Sequence, residues 1–192
     1  MTVHARHRRL SWRRPWLALV IACACLWQAA AAQVPNAASE SAVKAAFLYR
    51  IAAFVEWPAG TFGRPEDPLV IAVAGNEAVA TDLDQIVAGR TVDGRPVLVR
   101  RIREGDAPGA AHVLMIGAGR DTRVREITAA AAGPVLVVTE QENGHRLGGV
   151  LNFVVEGGRV RFTASLPVAE ARNLRLSARL LAVAQYVEGR SR

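Results

Sequence analysis

The sequence predicts an α/β fold, a single-domain sandwich in which helices flank a mixed β-sheet. Short apolar runs rich in β-branched residues alternate with segments of helical periodicity along most of the chain. A hairpin pattern follows these units, and antiparallel pairing after parallel units produces a mixed sheet. No internal repeat, low-complexity tract or linker divides the region that carries these elements. We therefore expect one α/β domain over residues 39–189.

The first 32 residues are predicted to form a secretory signal peptide. A basic stretch ends at Arg14, an apolar run covers residues 16–27, and Ala30 and Ala32 fit an A-x-A cleavage site. The apolar run is too short to cross a bilayer as a helix, although an uncleaved anchor is the alternative. Residues 33–38 then form a short tether, and the mature protein is expected in the periplasm.

Two variants of the export signal remain open. The Arg13-Arg14 pair before Pro15 loosely resembles a twin-arginine signal. Residues 20–23, which end at Cys23, loosely resemble a lipoprotein cleavage box, but cleavage there would leave an apolar tail. The sequence does not distinguish Sec from twin-arginine export.

The predicted signal peptide, residues 1–32 or the leader, also accounts for most of the basic character of the chain. The whole sequence has 24 Lys+Arg and 17 Asp+Glu, a net charge of +7. Five of the basic residues and no acidic residue lie in the leader, so a net of +2 remains after it. We therefore predict no nucleic-acid partner. Both cysteines, Cys23 and Cys25, lie in the leader too, which excludes a disulfide or a Cys-based metal site in the mature domain.

The first half of the domain is predicted to contain two helices and three strands. Ser39 is a suitable N-cap for a helix to about residue 55, with one buried stripe at the apolar positions Val43, Phe47, Ile51 and Phe54. Residues 69–74 form a buried strand, and a helix follows from Gly75-Asn76 to about residue 88, with Gly89 as a C-cap signal. Residues 97–102 form a half-exposed strand, and residues 112–116 form another buried one.

The second half is predicted to contain a helix over residues 121–132, a strand over residues 135–139, a polar loop and a hairpin. Gly157-Gly158 can supply the two positive-φ residues of a tight turn, which places Phe153 opposite Phe162 and Glu156 opposite Arg159. The core face of the hairpin is then Leu151, Phe153, Val155, Val160, Phe162 and Ala164. A short helix after Pro167 and a longer one over residues 177–187 complete the domain.

The mature chain shows no recognisable catalytic constellation. His112 opens a buried strand, where a hydrogen-bonded structural role is favoured, and His145 lies in a Gly-rich polar loop. No zinc-type His spacing, nucleophile elbow, Walker or EF-hand pattern is present. Gly117-x-Gly119 lacks the third glycine of a dinucleotide fingerprint, so a turn explains it better. We therefore predict a binding protein without catalytic residues, metal or cofactor.

Two surface features each allow two interpretations. Arg100, Arg101 and Arg103 form a basic cluster, which is either a solvated strand face that blunts a sheet edge or a docking patch for an acidic partner. Trp57, the one tryptophan after the leader, is either a lid on the core or a binding anchor.

Several ordered blocks of residues resemble the YfiR family of periplasmic regulators. They keep the family's order and cover nearly all of the chain from residue 41 to residue 187. The blocks are residues 43–49, 54–58, Gly89-Arg90, 111–114, 135–139, Gly148-Gly149 with Asn152, 160–162, Leu176-Ser177, Leu180-Leu181 and Ala184.

The resemblance implies a regulatory function. The best-known member represses an inner-membrane diguanylate cyclase by contacting the periplasmic sensor domain of that enzyme, which lowers cyclic-di-GMP and restrains biofilm formation. An outer-membrane lipoprotein relieves the repression by sequestering the regulator, and members can form homodimers. The chain departs from the family at two places. Members commonly carry disulfide cysteines, one of them at the position of Ala111 in this chain. Members also tend to have a Glu and an Asn after the hairpin phenylalanine, where this chain has Thr163 and Ser165.

The expected binding surface combines the Gly-rich loop with the hairpin beside it, because irregular loops on rigid elements commonly carry binding. The candidate partner- or ligand-binding residues are Trp57, His145, Gly148, Gly149, Asn152 and Arg161. The alternative function is an envelope sensor or carrier of a small molecule, with an apolar pocket near Trp57 and the hairpin.

Overall fold

An eight-stranded mixed β-sheet is the centre of the fold in the computed structural model, which describes residues 39–190. The predicted signal peptide (1–32) and tether (33–38) lie outside the described residues. The strands are β1 (Val55–Glu56), β2 (Leu69–Ala74), β3 (Thr91–Val92), β4 (Arg95–Ile102), β5 (Val113–Ile116), β6 (Leu136–Thr139), β7 (Leu151–Glu156), β8 (Arg159–Ser165), β9 (Arg175–Leu176) and β10 (Tyr186–Glu188). The helices are α1 (Glu40–Ala52), α2 (Glu77–Val87), α3 (Asp121–Ala130), α4 (Leu166–Ala171) and α5 (Ala178–Val183), with a 3-10 helix at Gly144–Leu147.

The strand order is β10-β8-β7-β6-β5-β2-β4-β3. Strands β4, β2, β5, β6 and β7 are parallel to their neighbours, whereas the β7–β8 hairpin and the β3–β4 pair are antiparallel. Strand β10 adds in parallel to β8, and β1 and β9 form a separate antiparallel pair. The predicted α/β class with a mixed sheet is confirmed.

Helices cover both faces of the sheet because the central strands are apolar on both sides. In β5, Val113 and Met115 join the cluster that contains Leu48 of α1 and Leu83 of α2. The alternate residues Leu114 and Ile116 join the cluster formed with α3 on the other face. Such two-sided burial explains why these strands read as continuous apolar runs.

Local capping fixes the ends of the first two helices as the sequence predicts. The Ser39 hydroxyl accepts a hydrogen bond from the Ala42 N–H at 3.1 Å, and the Asn76 side chain accepts one from the Val79 N–H at 3.1 Å. Gly89 follows α2 with φ of +68°.

The hairpin adopts the predicted register, with Phe153 opposite Phe162 and Glu156 opposite Arg159. Gly157 and Gly158 both have positive φ, at +56° and +71°, as a tight two-residue turn requires. The prediction that Val155 lies in the core is wrong, since it is 51% exposed. It lies next to the turn, where the face of the strand is only partly covered.

The predicted buried stripe of α1 is also wrong in part. Ala45, Leu48 and Ala52 are fully buried together with Ile51, while Phe54 beyond the helix is 36% exposed. Small alanines at these positions let the helix approach its neighbours closely, so this face packs inward. Val43 and Phe47 are consequently only half-buried.

The last predicted helix is shorter than expected. Helix α5 ends at Val183, and residues 186–188 form β10 instead of continuing the helix. The outer edge of β8 offers unpaired main-chain groups, and the Gln185 N–H begins the pairing by donating to Phe162 O at 2.9 Å. Tertiary pairing therefore overrides the local helical pattern here.

Candidate functional site

The carboxyl ends of β2, β5 and β6 meet where the connections turn to opposite sides of the sheet, the usual ligand position in open α/β folds. In this chain the Glu140 side chain occupies that position. Its carboxylate accepts hydrogen bonds from the Ala118 N–H at 2.9 Å and from Asn76 Nδ2 at 3.0 Å, and it pairs with Lys44 Nζ. The Glu140 carboxylate thus accepts a hydrogen bond from a main-chain N–H group that would otherwise be free to bind a phosphate.

Lys44 is the only lysine of the chain and is 7% exposed. Burial alone would lower the pKa of Lys44, but hydrogen bonds and charges from Glu140 and Glu40 outweigh it, and the pKa is raised. The Nζ to Glu40 Oε1 distance is 2.6 Å. The ion pair joins α1 to the end of β6, so we assign it a structural role.

The Gly117-x-Gly119 segment is a close-approach turn. A Cβ atom at Gly117 would lie 2.5 Å from the main-chain oxygen of Gly75, so only glycine lets the ends of β2 and β5 come this close. The Gly117 oxygen accepts a hydrogen bond from Gln141 Nε2 at 3.1 Å. The motif is therefore explained by packing.

The Gly-rich loop is held together by the residues that the sequence singles out. His145 Nδ1 donates to Gly149 O, and its Nε2 is hydrogen-bonded to the Thr163 hydroxyl, both at 2.8 Å. Gly148 ends the 3-10 helix in the left-handed conformation, with φ of +90°. His145 and Thr163 also border a cavity of about 270 Å³.

Asn152 is only 4% exposed and stabilises the base of the same loop. Its Oδ1 accepts hydrogen bonds from the Thr139 hydroxyl at 2.8 Å and from the Gln141 N–H at 3.0 Å. A Cβ atom at Gly144 would overlap both the Asn152 and Thr139 oxygens. At the second departure from the resemblance, Ser165 caps α4 by accepting from the Val168 N–H at 3.4 Å.

Trp57 lies on a different part of the surface, in an aromatic cluster. The Trp57 ring packs edge-on against Phe62 at 5.9 Å, and Phe62 stacks on His112 at 4.3 Å. The Arg95 guanidinium lies 4.2 Å from the Phe62 centroid. Trp57 is half-buried against the core and its Nε1 has no hydrogen-bond partner among the described residues. This packing favours the lid interpretation.

His112 has the hydrogen-bonded role expected from its position. Its Nδ1 accepts from the Val70 N–H at 2.9 Å, which requires an unprotonated Nδ1. Burial lowers the pKa of His112 and the nearby charge of Arg95 lowers it further, while a hydrogen bond with the main chain of Thr61 opposes them. The ring therefore stays neutral at neutral pH.

The basic cluster of β4 is largely engaged within the domain. Arg101 forms ion pairs with Glu77 at 2.6 Å and with Asp84 at 2.7 Å. Arg100 donates to Ala110 O at 2.8 Å and also to Pro108 O, which fastens the β4–β5 connection to the strand. Two of the three arginines are therefore engaged within the domain, which weakens the interpretation of the cluster as a docking patch.

An apolar concavity lies between α1, β8 and α5, and we call it the arginine-rimmed groove. Its volume is about 500 Å³. The apolar lining is Phe47, Ile51, Phe54, Val160, Phe162, Leu180 and Val183, and the rim is Arg50, Arg161 and Arg179. Phe47 anchors the lining by packing edge-on against Phe162 at 5.9 Å.

The groove combines exposed apolar area with unneutralised positive charge. Val183 is 64% exposed and Phe54 36%. All three rim arginines are exposed, and within residues 39–190 none of them forms an ion pair. Such a surface suits an occupant with apolar and anionic parts.

Sequence reasoning identified one of the groove residues, Arg161, and missed the others. The signal that could have found them was α1 itself, whose apolar residues exceed what one buried stripe needs. The other five predicted binding residues do not line the groove.

Two kinds of feature are not found in the described part of the chain. Residues 39–190 contain no group of three or more His, Cys, Asp or Glu side chains placed to hold a metal ion. In the same range no helix combines the length and apolar character needed to cross a bilayer.

Comparison with known proteins gives one result. A sequence profile described as YfiR/HmsC-like matches residues 41–185, more than half of the chain. A search of curated proteins found no match. The matched range covers strands β1 to β9 and every residue that lines the arginine-rimmed groove.

Proposed function

Because the chain belongs to the YfiR/HmsC-like family, we propose that it inhibits an inner-membrane diguanylate cyclase by binding the periplasmic sensor domain of that enzyme. Proteins of this family are periplasmic regulators of cyclic-di-GMP signalling and are not catalytic. Inhibition would lower cyclic-di-GMP and restrain biofilm formation. The family match over residues 41–185 is the observation that carries the proposal.

A small contact surface can supply the binding free energy that such regulation requires. A soluble regulator biases a receptor only by binding one of its states more tightly than the other. A tenfold bias requires a differential of about 1.4 kcal/mol. One or two apolar anchors in the arginine-rimmed groove are sufficient for this, since single buried side chains contribute that much at interfaces.

The proposal includes export and further partners. The leader (1–32) would be removed, leaving the tether (33–38) ahead of the domain, so the mature protein should begin at Gln33. An outer-membrane lipoprotein that sequesters the protein, and a homodimer, belong to the same proposal. Mass measurement of the protein recovered from the periplasm tests the cleavage site.

Gene deletion tests the central claim. Deleting the gene in the native host should raise cellular cyclic-di-GMP, and reintroducing the full chain should lower it again. A chain without residues 1–32 is the matched control, because it should stay in the cytosol and fail to restore the level. An unchanged cyclic-di-GMP level in the deletion strain would contradict the proposal.

The groove volume favours a second candidate function, an envelope sensor or carrier of a small molecule. A cavity of about 500 Å³ lies in the range of small-molecule sites. Trp57 does not line the groove, so calorimetric titration of the mature domain with an aromatic carboxylate such as benzoate is a better test than tryptophan fluorescence. Saturable heat that disappears in an Arg161→Glu variant would favour this function over docking alone.

A further inference from the structure

The arginine-rimmed groove offers an apolar surface against which a short helix can pack. Its wall along α1 runs from Phe47 to Ile51, about 6 Å or one helical turn, and Phe54 extends this wall just beyond the end of the helix. Residues of α5 and β8 line the rest of the groove, and the lining is open to solvent at Phe54 and Val183. An amphipathic helix that places side chains at i, i+3, i+4 and i+7 into an apolar groove is a recurrent mode of peptide recognition.

The rim specifies the charge of the occupant. Arg50 comes from α1, Arg161 from β8 and Arg179 from α5, so each element that lines the groove contributes one arginine to it. None of the three is neutralised by an acidic side chain among residues 39–190. Acidic residues on the polar face of an incoming helix would meet these guanidinium groups.

We propose that the groove receives an acidic amphipathic helix of the regulated membrane receptor. This inference rests on the proposed function and adds the chemistry of the docking segment. Apolar residues of that helix cover Phe54 and Val183, while Asp or Glu side chains pair with the rim arginines.

A second copy of the chain is a poorer occupant. In a two-fold dimer the same patch meets itself, so three unneutralised arginines would face three others. Like charges across an interface oppose association. The charge of the rim therefore favours a different, acidic macromolecule.

Site-specific photo-crosslinking in the native host tests the proposal. The full-length chain carries p-benzoylphenylalanine in place of Val183, and mass spectrometry identifies the crosslinked peptide. The matched control places the same residue at Leu98, which is similarly exposed at 52% but lies on β4 at the far side of the sheet. Circular dichroism of both purified variants checks folding.

The expected adduct at position 183 is a segment with net negative charge and apolar residues at helical spacing. The substitutions Arg161→Glu and Arg179→Glu together should reduce its yield roughly tenfold, equivalent to about 1.4 kcal/mol. Arg120→Glu with Arg125→Glu makes the same charge change on the α3 side of the molecule and should leave the yield unchanged.

Three results would overturn the inference: no adduct at position 183, an adduct without acidic character, or a yield that the Arg161→Glu/Arg179→Glu pair does not reduce. These outcomes are separate from the deletion experiment. Cyclic-di-GMP can rise on deletion while the crosslink fails, in which case the regulatory proposal stands and the groove assignment falls.

Discussion

Breaking the Lys44–Glu140 ion pair should strongly destabilise the domain. The two side chains are 9% and 10% exposed, and replacing Lys44 by Met leaves the Glu140 carboxylate buried without its cation. Removing one partner of a buried pair commonly costs about 3–5 kcal/mol. Glu140 keeps the hydrogen bonds from Asn76 and Ala118, so we expect the lower end, about 3 kcal/mol.

Thermal and urea denaturation of the mature domain measure this effect. For a domain of this size, 3 kcal/mol corresponds to a fall in Tm of roughly 6–12 °C. The double variant Lys44→Met/Glu140→Gln should recover about 2 kcal/mol of the loss, because no unpaired buried charge remains. The matched control Arg101→Met breaks two exposed ion pairs and should have a much smaller effect.

The pH dependence gives an independent check. Because the folded pKa of Lys44 is raised above its unfolded value, its contribution to the free energy of unfolding is fully present below about pH 10.4 and is lost as the pH rises through the folded pKa. The stability difference between wild type and Lys44→Met should therefore shrink in strongly alkaline buffer. A loss below about 1 kcal/mol at neutral pH would refute the assignment of a buried structural pair.

Three further predictions concern packing, protonation and the groove. Gly144→Ala should lower the free energy of unfolding by about 1–3 kcal/mol in urea titrations because its methyl group overlaps two side-chain oxygens, whereas Gly119→Ala, with its nearest neighbour 4.0 Å away, should be nearly neutral. Because the pKa of His112 is lowered in the folded protein, the unfolded chain takes up a proton at a higher pH than the folded protein does, and the free energy of unfolding should fall below about pH 6.5. In a series of urea midpoints measured against pH, the His112→Phe variant should lose less stability on acidification than the wild type. Phe162→Ala should lose about 3–5 kcal/mol of unfolding free energy, while Phe54→Ala, at a residue that is 36% exposed, should lose clearly less and yet raise cyclic-di-GMP when the variant replaces the wild-type gene; equal Tm losses would contradict the division between core and groove.

Short-range features of the fold were predictable because they depend on neighbouring residues. The Ser39 and Asn76 caps each bond to a main-chain N–H three residues ahead. The Gly157-Gly158 turn determined the pairing of Phe153 with Phe162 without any knowledge of the rest of the sheet. The buried strands were recognisable because helices cover both their faces.

The site was less predictable because its parts come from distant positions. Arg161 was identified from its place beside the hairpin, but the groove also needs Phe54 and Val183, which are far apart in the chain. Periodicity showed that α1 is apolar and could not show which of its faces packs inward. Likewise, the Gly-rich loop was identified, but the hydrogen bond between His145 of the loop and Thr163 of β8 follows only from the packing of the loop on that strand.

The sequence by itself determined the α/β class, the caps, the hairpin register and the family resemblance, since each depends on local pattern or residue order. Only the tertiary structure decided which face of α1 is buried, that residues 186–188 leave a helical pattern to pair with β8, and that Lys44 meets a carboxylate 96 positions away. The physical reason is that burial and pairing depend on which surfaces the whole chain brings together, and local propensities are too weak to decide between competing partners.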